Sequence, residues 1–405
     1  MKNPITALLC SATLVVGLGA CTSSQATELE PIATDGVVIV TASHANVPMP
    51  RLSPSNREQL GLALERSMPV SVVSADGSPE PVAIQIPTVT GGNGPARQRS
   101  VSKALSTVEV AVTALPNSDE VSAYGALAVA RDSALALGLK RPVIICLLCG
   151  IDTVGALGMT ADGALRSDPG DVTDYLRASG QLLELGSGFE EIEIHLTSTG
   201  WTAGPQAPLS PQDRDNLTAI WTAALEAGGA VVKVDPNPLS GDAVVTPHTV
   251  TPVSVAPPEP VVPVEPTPEE TASCTPQQFS FDGASGARFR PETAEWVSLD
   301  EARAALTPIA RWLAAVPSRT ARIQGTTANV HSGDPDEGIE LSRRRAEAAA
   351  ALVIELGAAP EQIVATEGLG PNYPEYVPDH DADGNPVPSL RTKNRKVIVI
   401  LREEC

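Results

Sequence analysis

The sequence predicts an α/β protein in two folded parts, a mainly parallel α/β layer domain and then an α/β sandwich, joined by a proline-rich linker. Three observations carry this. Between residues 35 and 235, short apolar runs alternate with longer amphipathic segments, as strands alternate with helices. Between 236 and 273 that periodicity stops, and ten prolines appear among Val, Thr and Glu. From 274 to 405, strand-length and helix-length segments resume.

The elements follow in order. Val37-Val38-Ile39-Val40 is an unbroken apolar run, as in a strand buried on both faces. Ser53-Pro54 supplies an N-cap and a proline at the first helical position, opening a helix to about residue 67. Segments 70–73 and 82–86 read as strands, and helices are expected near 97–115 and 120–138. Residues 142–148 make the clearest strand, followed by a helix at 171–184 and a strand at 192–196. A helix over 211–227 and a strand over 230–234 close the domain. The proline-rich stretch is expected to be a spacer, reaching on the order of 100 Å at ~3.1 Å per residue if extended. In the last part, 279–281 is a short strand, and Ser298 with Glu301 forms a capping box for a helix to about 315. A strand at 320–325, a long helix at 337–356 and strands at 363–366 and 396–401 complete it.

Composition narrows the function. A formal charge of −20 disfavours nucleic acid and anionic lipid heads as partners. Of six cysteines, Cys146 and Cys149 lie in or at the end of a strand, so their odd offset points them to opposite faces. Two buried thiols or a strained local bridge are expected there, since a redox pair calls for a helix N-terminus that the sequence does not offer. Cys274 and Cys405 bracket the last part, and they meet if its terminal strands run side by side and antiparallel.

The first residues read as an export signal: Lys2, an uncharged apolar run over 5–18, then Leu18-Gly19-Ala20-Cys21. The run is too short to span a bilayer. Its last four residues resemble the lipobox of bacterial lipoproteins. That resemblance implies cleavage of 1–20, a diacylglyceryl group on the Cys21 thiol, a polar tether over 21–34, and a place on the extracytoplasmic face of the cell membrane.

Four segments of the last part are read together. Ile323-Gln324-Gly325-Thr326-Thr327-Ala328-Asn329 precedes Leu341-Ser342-Arg343-Arg344-Arg345-Ala346, and Glu367-Gly368-Leu369-Gly370-Pro371 precedes Asn394-Arg395-Lys396-Val397. In this order and spacing they resemble the OmpA-like peptidoglycan-binding domain over about residues 279–402. The resemblance implies a pocket for the diaminopimelate of a peptidoglycan stem peptide. Arg345 would face the ligand carboxylate, and Asn394 with Arg395 would form the closing pair. A guanidinium suits a carboxylate because two parallel N–H bonds form. The family's Gly-His-Thr-Asp is here Gly325-Thr326-Thr327-Ala328, so the carboxylate that meets the ligand ammonium is missing. Asn329, Asp334 and Asp336 are the substitutes the sequence offers.

Other readings are weaker. Arg343 to Arg345 beside Glu340 and Glu347 also fits a solvated helix face. Residues 379–384, Asp-His-Asp-Ala-Asp-Gly, begin like a calcium loop, but Leu390 stands where a bidentate Glu belongs. The first domain faintly resembles von Willebrand A-type domains, yet Thr41-Ala42-Ser43-His44-Ala45 lacks their metal-binding Asp and second Ser. Gly186-Ser187-Gly188 follows a helix and not a first strand, against a dinucleotide site. None of the five histidines accompanies a nucleophile elbow. Trp201, Gly204 and Pro205 occupy a loop where open α/β sheets bind ligands. The expectation is therefore a lipid-anchored peptidoglycan-binding protein without catalysis, cofactor or metal. The alternative is an envelope protein-interaction module with a degenerate peptidoglycan site, its first domain binding a protein partner.

Overall fold

In the computed structural model, which describes residues 34–91, 93–235, 238–255, 263, 276–282, 286–329 and 335–403, two sheets organise the chain. The export signal, Cys21, Cys274 and Cys405 lie outside the described residues, as do His331 and Asp334. No helix among the described residues is long and apolar enough to cross a membrane.

The first sheet has the order β3-β2-β1-β4-β5-β6. Its strands are β1 (Gly36–Thr41), β2 (Val70–Ser74), β3 (Glu80–Pro81), β4 (Pro142–Leu147), β5 (Glu193–Thr197) and β6 (Val231–Asp235). All neighbours pair in parallel except the short β3. β1 and β4 are buried at every position, which explains why both read as unbroken apolar runs. Odd residues of the two central strands (Val37, Ile39, Val143, Ile145) pack on α1 (Pro54–Glu65) and α2 (Gly94–Val112). Even residues (Val38, Val40, Ile144, Cys146) pack on α3 (Ala123–Ala136), α4 (Pro169–Ala178) and α5 (Pro211–Ala227). The result is three layers, helix on sheet on helix.

Local chemistry sets the helix starts. Ser53, Asn93, Asp168 and Ser210 each accept a backbone N–H of the first turn, and each is followed by a proline at the first or second position. The strand expected at 82–86 is not one. Beyond Pro81 the segment keeps one ladder bond, from Val82 N–H to Val72 O (2.8 Å), and Val82, Ile84 and Ile86 pack half-buried on the sheet as far as Pro87, which has no N–H to donate. Cys146 and Cys149 are both free and buried in the same core cluster, and burial pushes each thiol up to about 12.

Residues 238–255 depart from the extended spacer that the prolines suggested. Val250 and Val253 are buried in the core of the first domain. Gln206 donates to the carbonyl of Val253 (3.0 Å) and accepts its N–H (2.8 Å). Glu120 N–H donates to Thr249 O, Ala243 bridges Pro48, and Val244 N–H donates to Val47 O. Proline lowers periodic pairing, but it does not prevent a strap whose valines find apolar cover and whose main chain finds side-chain partners.

The second sheet has the order β7-β10-β8-β9, with β7 (Gln277–Phe281), β8 (Thr320–Gly325), β9 (Ile363–Gly368) and β10 (Val397–Arg402). β10 is antiparallel to both β7 and β8, and β8 is parallel to β9. Helices α6 (Leu299–Ala315) and α7 (Pro335–Glu355) share a core with this sheet, while α8 (Pro388–Asn394) leads into β10. Ser298 caps α6 through Glu301 N–H, but the Glu301 side chain faces Arg288 at 3.9 Å, so only half of the expected capping box forms. Two glycines let α7 close on the sheet. A Cβ at Gly325 would lie 1.9 Å from Ser342 O, and one at Gly368 would lie 2.2 Å from Ile339 O. Ser342 Oγ then fastens the seam, donating to Ile339 O (2.8 Å) and accepting Gly370 N–H (2.9 Å).

Candidate functional site

The three consecutive arginines of α7 have separate fates. Arg343 is on the surface and ion-paired to Glu340 and Glu347, the solvated-face arrangement. Arg344 is exposed. Arg345, one helical step on, is 1% exposed. Its Nε donates to Thr293 O (2.9 Å), and its Nη2 donates to Arg290 O (3.2 Å). The guanidinium lies over the Phe289 ring at 5.4 Å, and that ring stacks on Trp296 at 4.0 Å. Nη1 is buried and has no hydrogen-bond partner among the described residues. Burial, with help from the nearby charge of Arg395, lowers Arg345 to about 9. A buried cation held by two carbonyls and a ring face, with no carboxylate in ion-pair contact among the described residues, keeps an uncompensated charge.

The residues covering Arg345 form a small hairpin. Phe289 bridges Trp296, Arg290 N–H donates to Glu295 O, and Val297 N–H donates to Arg288 O. At its turn Glu292 has a φ of 50°. That left-handed conformation is unfavourable for a glutamate.

The loop after β8 is anchored by Thr326, whose Oγ1 donates to Asn394 O at 2.6 Å. Ala328 is buried. Asn329 is exposed, but its backbone N–H donates to Asp379 Oδ2 at 3.0 Å. Asn394 is fully buried and ties three partners together. It donates to Val377 O (2.6 Å), and its Oδ1 accepts Tyr373 OH (2.8 Å) and Val377 N–H (3.0 Å). Its Nδ2 also stands 3.4 Å from Asp379 Oδ2.

A carboxylate therefore does reach the Ala328 neighbourhood, and it comes from fifty residues downstream. Asp379 Oδ1 accepts Tyr376 OH (2.8 Å) and meets His380 Nδ1 (2.9 Å). Burial alone would raise its pKa. The hydrogen bonds from Asn329 N–H, Tyr376 and Asn394 outweigh that and hold the carboxyl below its usual range. The loop 379–384 is thus not a converging set of ligands. Asp379 turns inward, and Asp381 closes on its own turn by accepting the N–H groups of Asp383 and Asn385. Among the described residues, no three His, Cys, Asp or Glu side chains gather where they would hold a metal. Asp336, offered by the sequence as another substitute, has partners of its own.

Arg395 has gone to the first domain. Its Nη1 and Nη2 donate to the two oxygens of Asp171 on α4, at 2.5 and 2.9 Å. Arg391 Nε lies 3.1 Å from the same carboxylate, and Lys393 Nζ lies 3.0 Å from Asp162. Burial opposes charge on Arg395, but Asp171 overcomes this and keeps the guanidinium above its ordinary value.

No family model matches the chain, and no curated protein does. Solved structures similar to its C-terminal part include the periplasmic domain of Helicobacter pylori MotB, 18% identical over 32% of this chain and 83% of that one (TM-score 0.25). Another is the peptidoglycan-associated lipoprotein from Burkholderia pseudomallei, 24% identical over 31% of this chain and 88% of that one (TM-score 0.23). A third is the OmpA-like domain of FopA1 from Francisella tularensis, 17% identical over 32% of this chain and 76% of that one (TM-score 0.23).

The first domain's candidates divide into a buried group and a loop in which Trp201 is half-buried and Gly204 and Pro205 are exposed. Thr41 Oγ1 donates to Val112 O (2.8 Å), and Ser43 and His44 are buried. His195 sits between Glu193 and Asn56, with Lys233 on the far oxygen of Glu193 at 3.0 Å. Trp201 lies under Arg214 at 4.8 Å, and Gly204 passes so close to Ala45 O that a Cβ would stand 2.3 Å from it.

Proposed function

We propose that this is an exported envelope protein whose C-terminal domain, residues 274–405, binds peptidoglycan non-covalently through the diaminopimelate of a stem peptide. The observation that carries the reading is Arg345. Its guanidinium is desolvated, lacks a carboxylate within ion-pair distance among the described residues, and has one nitrogen unused. A ligand carboxylate would supply the missing counter-charge and replace two neutral carbonyls by charge-assisted bonds. Asp379 supports the other half of the reading. Itself buried, it brings a carboxylate to the loop after β8, where Ala328 cannot, and the Asn329 N–H and Asn394 hold it there. The hairpin over Arg345 must swing aside for ligand to enter, and the strained Glu292 at its turn marks it as the part to move.

The export signal and the resemblance of Leu18 to Cys21 to a lipobox support anchoring by lipid on Cys21, at the extracytoplasmic face of the membrane. We propose a bridge between Cys274 and Cys405 on the antiparallel neighbourhood of β7 and β10 alone, both cysteines lying outside the described residues. No catalytic role is assigned to any residue. The second reading, a protein-interaction module with a lost peptidoglycan site, is favoured by the same burial of Arg345 and Arg395. Sedimentation of the chain with diaminopimelate-type sacculi separates the two. Pelleting that free meso-diaminopimelate competes away, and that Asp379→Asn weakens, supports binding to the wall. Absence of pelleting at any ligand concentration supports the module.

A further inference from the structure

The contact between the two domains is made of the same chemistry as the proposed ligand contact. Asp168 caps α4, Asp171 is the third residue of that helix, and Asp162 lies in the turn before it. Opposite stand Arg391, Lys393 and Arg395, on and just after α8. Asp171 meets Arg395 through two parallel N–H···O bonds and meets Arg391 in a second ion pair. All three side chains are less than one-tenth exposed. This two-pronged geometry is what a guanidinium offers a peptide carboxylate. The hairpin that shields Arg345 lies in the same cleft. Arg288 and Phe289 line it from one side, and Arg166, Asp168 and Asn216 line it from the other.

We propose that the acidic edge of the α/β domain, Asp162 to Asp171, is a resident occupant of the C-terminal domain's arginine cluster, so that domain docking and capture of an external carboxylate peptide exclude each other. The inference rests on the wall-binding reading above and adds its regulation. Asp171 occupies Arg395 and Arg391 in the cleft whose wall shields Arg345, so a stem-peptide carboxylate seeking Arg345 and its neighbouring guanidinium meets a cleft already filled. Neither leaves without a replacement, because a buried guanidinium stripped of its partner is costly. A resident competitor on the same chain reduces apparent affinity by the fraction of molecules that are open. The protein would then hold the wall weakly while its domains are docked and firmly once they part.

The test uses the full chain. A zero-length carbodiimide couples Asp162 to Lys393 as an amide only while the domains are docked, and mass spectrometry reads the yield without any ligand. Sacculus binding is measured in parallel on the wild type, on Asp171→Asn, which keeps the side-chain shape, and on the exposed-pair variant Lys393→Ala. The wild type should give the amide, excess sacculi or meso-diaminopimelate should reduce its yield, and Asp171→Asn should bind sacculi at least about five-fold more tightly. If the amide forms, the wall is bound and neither affects the other, the inference is overturned and the wall-binding reading stands. If the wild type gives no amide while sacculi are bound, the docked state is absent in solution and the inference falls alone. If the amide forms but no variant binds sacculi, the wall-binding reading fails and takes the inference with it.

Discussion

The carboxylate of Asp379 accepts the backbone N–H of Asn329 at 3.0 Å, closing the loop after β8 with an acid from a loop fifty residues further on. Because its pKa is held below the ordinary 3.8, Asp379 stabilises the fold above that pH, and the contribution is lost as pH falls through its folded value. Asp379→Asn is expected to cost about 1.5–3 kcal/mol at neutral pH, the worth of charged hydrogen bonds. Urea midpoints of wild type and variant should differ by a constant amount between about pH 5 and 7, and the difference should shrink only as pH falls below 3.8 toward the lower folded value. A difference independent of pH down to acid unfolding would count against an ionised Asp379.

Asp152 behaves in the opposite sense. It accepts the N–H groups of Ala123 (2.6 Å) and Tyr124 (2.9 Å) at the start of α3, yet complete burial raises it from 3.8 to about 7. The folded state therefore holds this proton where the unfolded chain has released it. Stability relative to Asp152→Asn should be greatest below pH 3.8 and should decline as pH rises toward 7, levelling above it. Chemical denaturation of the pair across that range reads the slope directly.

Two glycine substitutions should move stability in opposite directions. Gly61 lies inside α1 with open space where an alanine methyl would stand, so Gly61→Ala should stabilise by about 0.5–1 kcal/mol. Gly325→Ala drives a methyl into Ser342 O and should destabilise by about 3 kcal/mol or more as α7 is forced from the sheet. Thermal unfolding of both variants beside the wild type is sufficient.

Gln206 holds the strap by its main chain. Gln206→Ala removes both hydrogen bonds to Val253 and leaves buried peptide groups unsatisfied, a cost of about 1–3 kcal/mol. Hydrogen exchange should show the Val253 amide losing protection while β1 and β4 keep theirs. Equal loss across the first domain would mean that strap and sheet unfold as one unit.

Much of the fold is legible in the sequence because it rests on local signals. Val37 to Val40 and Pro142 to Leu147 read as buried strands, and they occupy the centre of the first sheet. Ser53-Pro54, Ser298 and Gly357 mark helix ends through contacts within a turn or two. The departures are equally physical. The 82–86 strand is absent because, past the single bond from Val82 N–H to Val72 O, the segment covers the sheet with its apolar side chains and does not pair along its edge. The helix after residue 168 stops at Ala178, just before Gly180 at φ 69°. Helix α2 starts at Gly94, three residues before the apolar period suggests, because Asn93 caps it; Asn followed by Gly-Pro is a signal the sequence carries. Helix α8 leaves no comparable trace, since seven residues show less than two turns of periodicity.

What the sequence determined by itself was therefore the class of each part and the order of its main elements. Those depend on periodicity, caps and motif spacing, which are properties of neighbours along the chain. Tertiary structure alone decided which arginine is buried, that Asp379 reaches the loop where Ala328 replaces an acid, that half the proline-rich stretch lies on the first domain, and that Asp171 takes Arg395. Each is a pairing across tens to hundreds of residues. Such pairings depend on how packed surfaces bring charges together, and a charge carries no mark in the sequence of the partner that will neutralise it.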